Sequence, residues 1–407
     1  MRSLPRIDAA AFLTAAAAVG LIASDQGGFF ERTWPWAGLC LAAAGAIVLL
    51  NSNELRVEPA NLVLIGATAA ISGWTALSWL WSSEPSSSLD EALRAPLYIA
   101  AAVAFVAFAA AGGTWGLLLG VSAGTTALAG YSLADRYLSH STEALAGPVG
   151  YANALGALCG IGVVVVATLG LAALRRPELL ALAAGSTVVL MVALGLTSSR
   201  GSWLAVGAGL GVAVAARGGR RWATAGVAVV GALEAALLGL TVYTEPRVLE
   251  ARGDYWHVAG QVGRQHPIVG LGAGTFDLAW GAFGDLGRWG GVSDAHSLYL
   301  ETFAELGVVG LVLLAGLAAP VVAAVTRPAL STREAAALGG AVTFLVHAGL
   351  DFDWEMPAVT VAGIACLAGI LGRDVPRPAG KRTRSTLIGV EAAIILGYLV
   401  YVSLHRS

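Results

Sequence analysis

Long apolar runs, interrupted mainly by glycine and closed by charge or proline, repeat along almost the whole chain. They fall near residues 9–24, 34–50, 60–81, 95–111, 115–134, 151–174, 178–196, 202–216, 222–243, 297–325, 335–350, 358–371 and 386–404. A helix needs about 20 apolar residues to cross a bilayer core, so the pattern predicts an all-α, polytopic integral membrane bundle of about 12 to 14 transmembrane helices. One polar stretch, residues 244–296, stands out as a long loop, and long ordered loops usually carry function. Everything else reads as a single integral domain over residues 1–407 with no repeat and no soluble module. Composition agrees, with 57% hydrophobic and 12% charged residues and a mean hydropathy of +0.74. The first run, preceded by Arg2 and Arg6, resembles a signal peptide, yet the spans behind it favour an uncleaved first helix. The 53 glycines suit close helix packing in lipid.

Basic residues set the orientation, because cytoplasmic loops retain arginine and lysine. With the N-terminus inside, fifteen of the 24 basic residues fall in inner loops, among them Arg56, Arg175, Arg176, Arg217, Arg327, Arg333, Lys381 and Arg384. Thirteen spans then put the long loop on the extracytoplasmic face of the cytoplasmic membrane. A net charge of −2 argues against a nucleic-acid partner, and the basic segment 373–384 reads as a topology anchor touching anionic lipid. Cys40, Cys159 and Cys366 lie in apolar runs and read as buried small hydrophobes, with neither a disulfide framework nor a metal site indicated.

Within the long loop, residues Arg252 to Gln265 are predicted to form a short amphipathic helix. His266-Pro267-Ile-Val-Gly270-Leu-Gly272-Ala-Gly274 follows as a rigid turn and tight backbone path. No strand precedes those glycines, so a dinucleotide fingerprint does not fit. The loop ends at Asp294-Ala-His296-Ser297, where it turns into an apolar span containing Gly307 and Gly310. Glu301 and Glu305 share one face of that span, and contact with loop arginines is the preferred reading. Asp351-Phe-Asp353 reads as a solvated turn rather than a metal site. Trp280 and Trp289 suit sugar stacking or an interfacial belt. His257 and His266 read as loop residues and His347 as a packing histidine, while the intramembrane Glu234 and Glu391 have no assigned role.

These elements together resemble the O-antigen ligase and polymerase family. The resemblance is carried by Thr197-Ser-Ser-Arg200-Gly between two spans, Arg252 with Trp256 four residues on, and Pro267-Ile-Val-Gly270-Leu-Gly272. Most specific is His296-Ser297 followed nine residues later by Gly307-Val-Val-Gly310. Asn153, in Gly150-Tyr-Ala-Asn153, is similar to a recurrent asparagine at the start of a span. The similarity covers about Ser82 to Leu371. It implies a metal-independent glycosyltransferase without cofactor, which moves a glycan from an undecaprenyl diphosphate carrier to a hydroxyl of a glycan or glycolipid acceptor. Membrane lipid is the remaining expected partner.

On that reading His296, Arg200 and Arg252 are the candidate catalytic residues, and Asn153, Trp256, Arg264 and both arginines the candidate substrate-binding residues. Arginine suits a diphosphate because its planar fork offers several donors at once. His296 can serve as general base, or its helix start can hold a phosphate oxygen. The plainer readings are a snorkelling Arg200, an Arg252 paired with Glu250 or Asp254, and a His296 bonded to backbone. A repeat-unit polymerase, a secondary transporter and a non-catalytic envelope scaffold are the alternatives.

Overall fold

A computed structural model describes residues 6–52, 54–217, 246–327, 329–370 and 377–404. The chain is helical almost throughout: α1 (Arg6–Ser24), α2 (Thr33–Asn51), α3 (Pro59–Ser78), α4 (Pro85–Ala110), α5 (Thr114–Ser139), α6 (Ala152–Gly170) and α7 (Pro177–Leu196) lead into a helix α8 through 200–217. The loop region carries α9 (Pro246–Gln265), α10 (Phe276–Phe283) and α11 (Leu286–Trp289). The bundle then resumes with α12 (Leu298–Ala315), α13 (Ala319–Val325), α14 (Thr332–Ala348), α15 (Pro357–Gly369) and α16 (Lys381–Leu404). Proline opens α3, α4, α7 and α15, where its missing N–H costs nothing. A Ser331–Glu334 capping box opens α14.

Among the described residues nine helices are long and apolar enough to cross a membrane. α15, at 13 residues, is a shorter apolar helix, and α14, at 17 residues, packs in the same bundle. The predicted run at 222–243, with Glu234, lies outside the described residues. The chain is an all-α, multi-pass membrane protein, as its periodicity predicts.

Small residues set the packing. Gly116, Gly120 and Gly124 form a four-residue stripe on α5 that meets the α1 backbone; a Cβ at Gly116 would sit 2.0 Å from the Asp8 carbonyl oxygen and one at Gly120 2.5 Å from that of Phe12. Helices approach this closely in lipid because van der Waals contact between backbones, rather than hydrophobic exclusion, drives their association. Asp8 adds a hydrogen bond from the Gly116 N–H at 2.9 Å. On α8, Gly209 meets Thr343 and Gly339 of α14 in the same way. Cys159 and Cys366 are buried as expected, but Cys40 is exposed on α2. Arg94 is buried inside α4 at 3% exposure and is held by Glu91 and the Glu355 carbonyl oxygen.

The glycines of the loop and of α12 work as one device. α12 is broken at Gly307, whose φ of 66° and ψ of −165° are open essentially to glycine alone. The break frees backbone groups, and the Pro267–Phe276 segment satisfies them: Val308 and Val309 donate to the carbonyls of Pro267 and Ile268, while Leu271 and Gly272 donate to those of Ala304 and Glu305. Buried backbone cannot be left unpaired at membrane depth, which is why the loop must follow the break so closely. Gly270, at φ 69°, lies so near that a Cβ would be 2.1 Å from the Glu305 carbonyl carbon. Gly307→Ala adds a strained φ and a Cβ 2.2 Å from the Ile268 oxygen. The expected cost is roughly 2–4 kcal/mol, read as a lower unfolding temperature in nanodiscs; a variant as stable as the parent rejects this account.

Candidate active site

The loop region folds as a small cap with its own core rather than as an extended loop. Val258, Ala259, Val262, Phe276, Trp280, Ala295 and Ala304 pack together on the end of α12. The predicted amphipathic helix exists and starts six residues earlier, at Pro246. Trp280 is 1% exposed and donates to the Gly290 carbonyl, so it is a core residue of the cap rather than a sugar platform or belt. Trp289 donates to Asp254 at 2.7 Å. Glu250 and Asp254 turn to Arg288, which leaves Arg252 for another partner.

That partner is Asp351. Arg252 Nη2 lies 2.9 Å from Asp351 Oδ2, and Asp351 also accepts from the Tyr151 hydroxyl at 2.9 Å, from the Asn153 amide and from the Phe352 N–H at 2.8 Å. Asp351 is 3% exposed, so the expectation of a solvated turn is wrong. A short loop between two apolar helices looks wet from sequence, whereas here the cap covers it and supplies its counter-ion. Burial alone would raise the Asp351 carboxyl, but the Arg252 guanidinium holds it below the usual carboxylate range. A depressed carboxyl stabilises the fold at pH values above its unfolded pKa of about 3.9 and gives that up as pH falls through its folded value. Acidification below about pH 4 should therefore lower the unfolding temperature, and Asp351→Asn should flatten that drop. An unchanged acid limb in the variant contradicts the assignment.

His296 stands on the other side of Phe352. Its ring meets Phe352 edge-on at 5.2 Å between centroids and Tyr255 at 5.3 Å, and Phe352 in turn lies on Tyr151 at 4.6 Å. His296 has a left-handed backbone, φ 51°. It is held there by Asp294, which accepts from the His296 N–H at 3.2 Å and pairs with the imidazole Nδ1. A carboxylate on Nδ1 places the proton there and leaves Nε2 as the basic nitrogen. The Asp-x-His spacing was the available signal for Asp294.

Arg200 begins α8 after Ser198, whose φ is 58°. Its turn is tied to the Asp351 loop by a buried chain: Ser199 Oγ to Ser202 Oγ at 2.8 Å, Ser202 Oγ to His347 Nε2 at 2.8 Å, and His347 Nδ1 to Asp353 Oδ2 at 3.0 Å. His347 is 1% and Asp353 0% exposed. The packing reading of His347 thus holds for its burial, while its polar partners anchor the two loops that flank the site.

The structure brings Arg252, His296 and Asn153 together around Asp351-Phe352, with the Arg200 turn joined through His347. Trp256 lies one turn along α9 from Arg252, and its buried indole N–H has no hydrogen-bond partner among the described residues. Arg264 is not part of this group: it is exposed, and twelve residues of helix put it about 18 Å from Arg252. Glu305 accepts from the N–H groups of Gly274, Thr275 and Phe276, and Glu301 from that of Ala295, so these carboxylates clamp loop backbone rather than loop arginines. Among the described residues no group of histidine, cysteine and carboxylate side chains could hold a metal ion.

No curated protein matches the chain. The O-antigen ligase family model matches residues 185–315. That interval contains Arg200, Arg252, Trp256, Arg264, His296 and the Gly307 break, whereas Asn153, His347 and Asp351 reach the site from outside it. The match takes in most of the motifs that carry the resemblance, so residues 185–315 of this multi-pass membrane protein are similar to the O-antigen ligase family.

Proposed function

We propose that the protein is a glycosyltransferase that moves a glycan from a polyprenyl diphosphate to an acceptor hydroxyl at the extracytoplasmic face of the cytoplasmic membrane. The observation that carries this reading is the state of Arg252. One of its Nη atoms holds Asp351, while the other, Nη1, is buried and has no hydrogen-bond partner among the described residues. A buried guanidinium donor is costly to leave unmade and suits a phosphate oxygen.

The chemistry follows from the two ends of the site. The acceptor oxygen bonds to the anomeric carbon as its proton passes to His296 Nε2, and the bond from that carbon to the diphosphate oxygen breaks. The leaving diphosphate keeps the electron pair, and Arg252 with Arg200 stabilises the added charge. Asp294 holds the imidazole in the required tautomer and steadies the imidazolium that forms. Asp351, bound to Arg252, Tyr151 and Asn153, fixes the guanidinium plane rather than touching substrate.

The test is reconstitution in nanodiscs with a radiolabelled glycan on a polyprenyl diphosphate, offered with either a glycolipid acceptor or a second lipid-linked glycan. Transfer to one of them with release of free carrier diphosphate supports the reading and distinguishes ligase from polymerase. Loss of donor by plain hydrolysis, or no consumption at all, refutes it.

A further inference from the structure

The end of the bundle remote from Arg200 and His347 gathers arginines that the chemistry above leaves unused. α6 and α8 both run antiparallel to α14. Gly160 of α6 lies against Thr343 and Val164 against Gly339, while Gly209 of α8 lies against Thr343 and Ala213 against Gly339. The α6–α7 turn, the end of α8 and the start of α14 therefore meet at one face, about 20–25 Å of helix from the candidate site. A backbone hydrogen bond closes this face: the Leu330 N–H donates to the Ala216 carbonyl at 2.9 Å. Arg217 directly follows Ala216, and Arg333 comes three residues after Leu330.

The charges at this face do not balance. Residues 171–178, 214–217 and 326–334 hold Arg175, Arg176, Arg217, Arg327 and Arg333 against only Glu178 and Glu334. Glu334 is already engaged, because its carboxylate accepts from Arg327 Nη1 at 2.9 Å and from the N–H and hydroxyl of Ser331 in the capping box. Arg333 Nε is buried and has no hydrogen-bond partner among the described residues. Arg217 is exposed. Guanidinium groups gathered at a membrane surface repel one another, and a buried donor left unmade is costly. A phosphate relieves both, since its oxygens accept from several guanidinium donors and its charge offsets theirs. The start of α14 adds the positive end of a 17-residue helix. Exposed apolar side chains lie one turn inside the arginines, Leu171 before Arg175 and Val214 before Arg217, at 47% and 46% exposure. Charge at the rim with hydrocarbon below it matches a lipid headgroup over its acyl chains.

We propose that this face is a binding site for a phosphate group supplied by an anionic phospholipid, with Arg217 and Arg333 on the phosphate and the acyl chains against the exposed apolar residues below. The site is separate from the glycan-transfer reading and stands whether or not that reading does.

The test titrates the full-length protein in a neutral detergent with phosphatidylglycerol, phosphatidylcholine or inorganic phosphate and reads bound ligand by native mass spectrometry. An arginine near an anionic headgroup strengthens binding roughly fivefold, so the pair should make phosphatidylglycerol bind about 25-fold tighter than phosphatidylcholine. Arg217→Gln should weaken phosphatidylglycerol roughly fivefold, and the double variant Arg217→Gln with Arg333→Gln should bind it no tighter than phosphatidylcholine. Arg56→Gln removes the same charge from an exposed position on another loop and should leave the affinity at the parental value. Equal affinity of the parent for the two lipids overturns the proposal, as does a loss from Arg56→Gln as large as that from Arg217→Gln. Displacement of phosphatidylglycerol by an equal concentration of inorganic phosphate also overturns it, by assigning the arginines to a free anion. Should the double variant fail to fold, Arg217→Gln alone decides, and parental affinity in that protein rejects the site.

Discussion

Alanine at position 296 is expected to lower glycan transfer by about two to four orders of magnitude while the protein stays folded. The size follows from the arrangement of the imidazole: Asp294 occupies Nδ1, so Nε2 is the single nitrogen positioned to take a proton. Its removal takes the proposed base away without opening the core, because the ring is partly exposed and its aromatic contacts among the described residues are Phe352 and Tyr255. Asp294→Asn should give a loss of similar order, since an amide can donate to Nδ1 and so hold the proton on Nε2, the wrong tautomer for a base. Initial rates with the lipid-diphosphate donor, at saturating acceptor, measure both. A His296→Ala protein that is folded and transfers at the parental rate removes His296 from the chemistry.

The second large effect concerns Asp351. Asp351→Ala strips the acceptor from Arg252, Tyr151, Asn153 and the Phe352 N–H together. Leaving a buried charge without its partner typically costs about 3–5 kcal/mol. For this reason the variant should lose both stability and transfer. A double replacement separates the two: Arg252→Met with Asp351→Leu removes both charges and fills the space with apolar atoms, a change that is often neutral in buried pairs. Thermal unfolding should recover toward the parent in the double variant, and transfer should stay absent. Recovery of transfer as well would mean that the pair serves the fold alone.

Much of this was legible in the residues taken one at a time. The apolar runs marked the bundle, and the polar stretch before His296 marked the cap, because desolvation in lipid constrains every position of a span. The amphipathic helix was visible, although its start at Pro246 was not, since boundaries depend on what the chain packs against. Asp351 was misread because two apolar flanks say nothing about a cap that arrives from a hundred residues earlier. Glu301 and Glu305 were misread for the opposite reason: their helical spacing suggested side-chain partners, while the loop glycines had brought backbone N–H groups within reach instead.

Sequence by itself determined that this chain lives in a membrane as a helical bundle, that Arg200, Arg252 and His296 are its distinctive polar residues, and that Gly307 follows His296 at a fixed distance. Those properties are local, set by side-chain hydrophobicity and by spacing along one segment. Only the tertiary structure decided which carboxylate holds Arg252, that Asp294 orients His296, and that the loop glycines seal a broken helix. Ion pairing and backbone satisfaction depend on which atoms meet when distant helices close on one another, and that depends on the whole bundle at once.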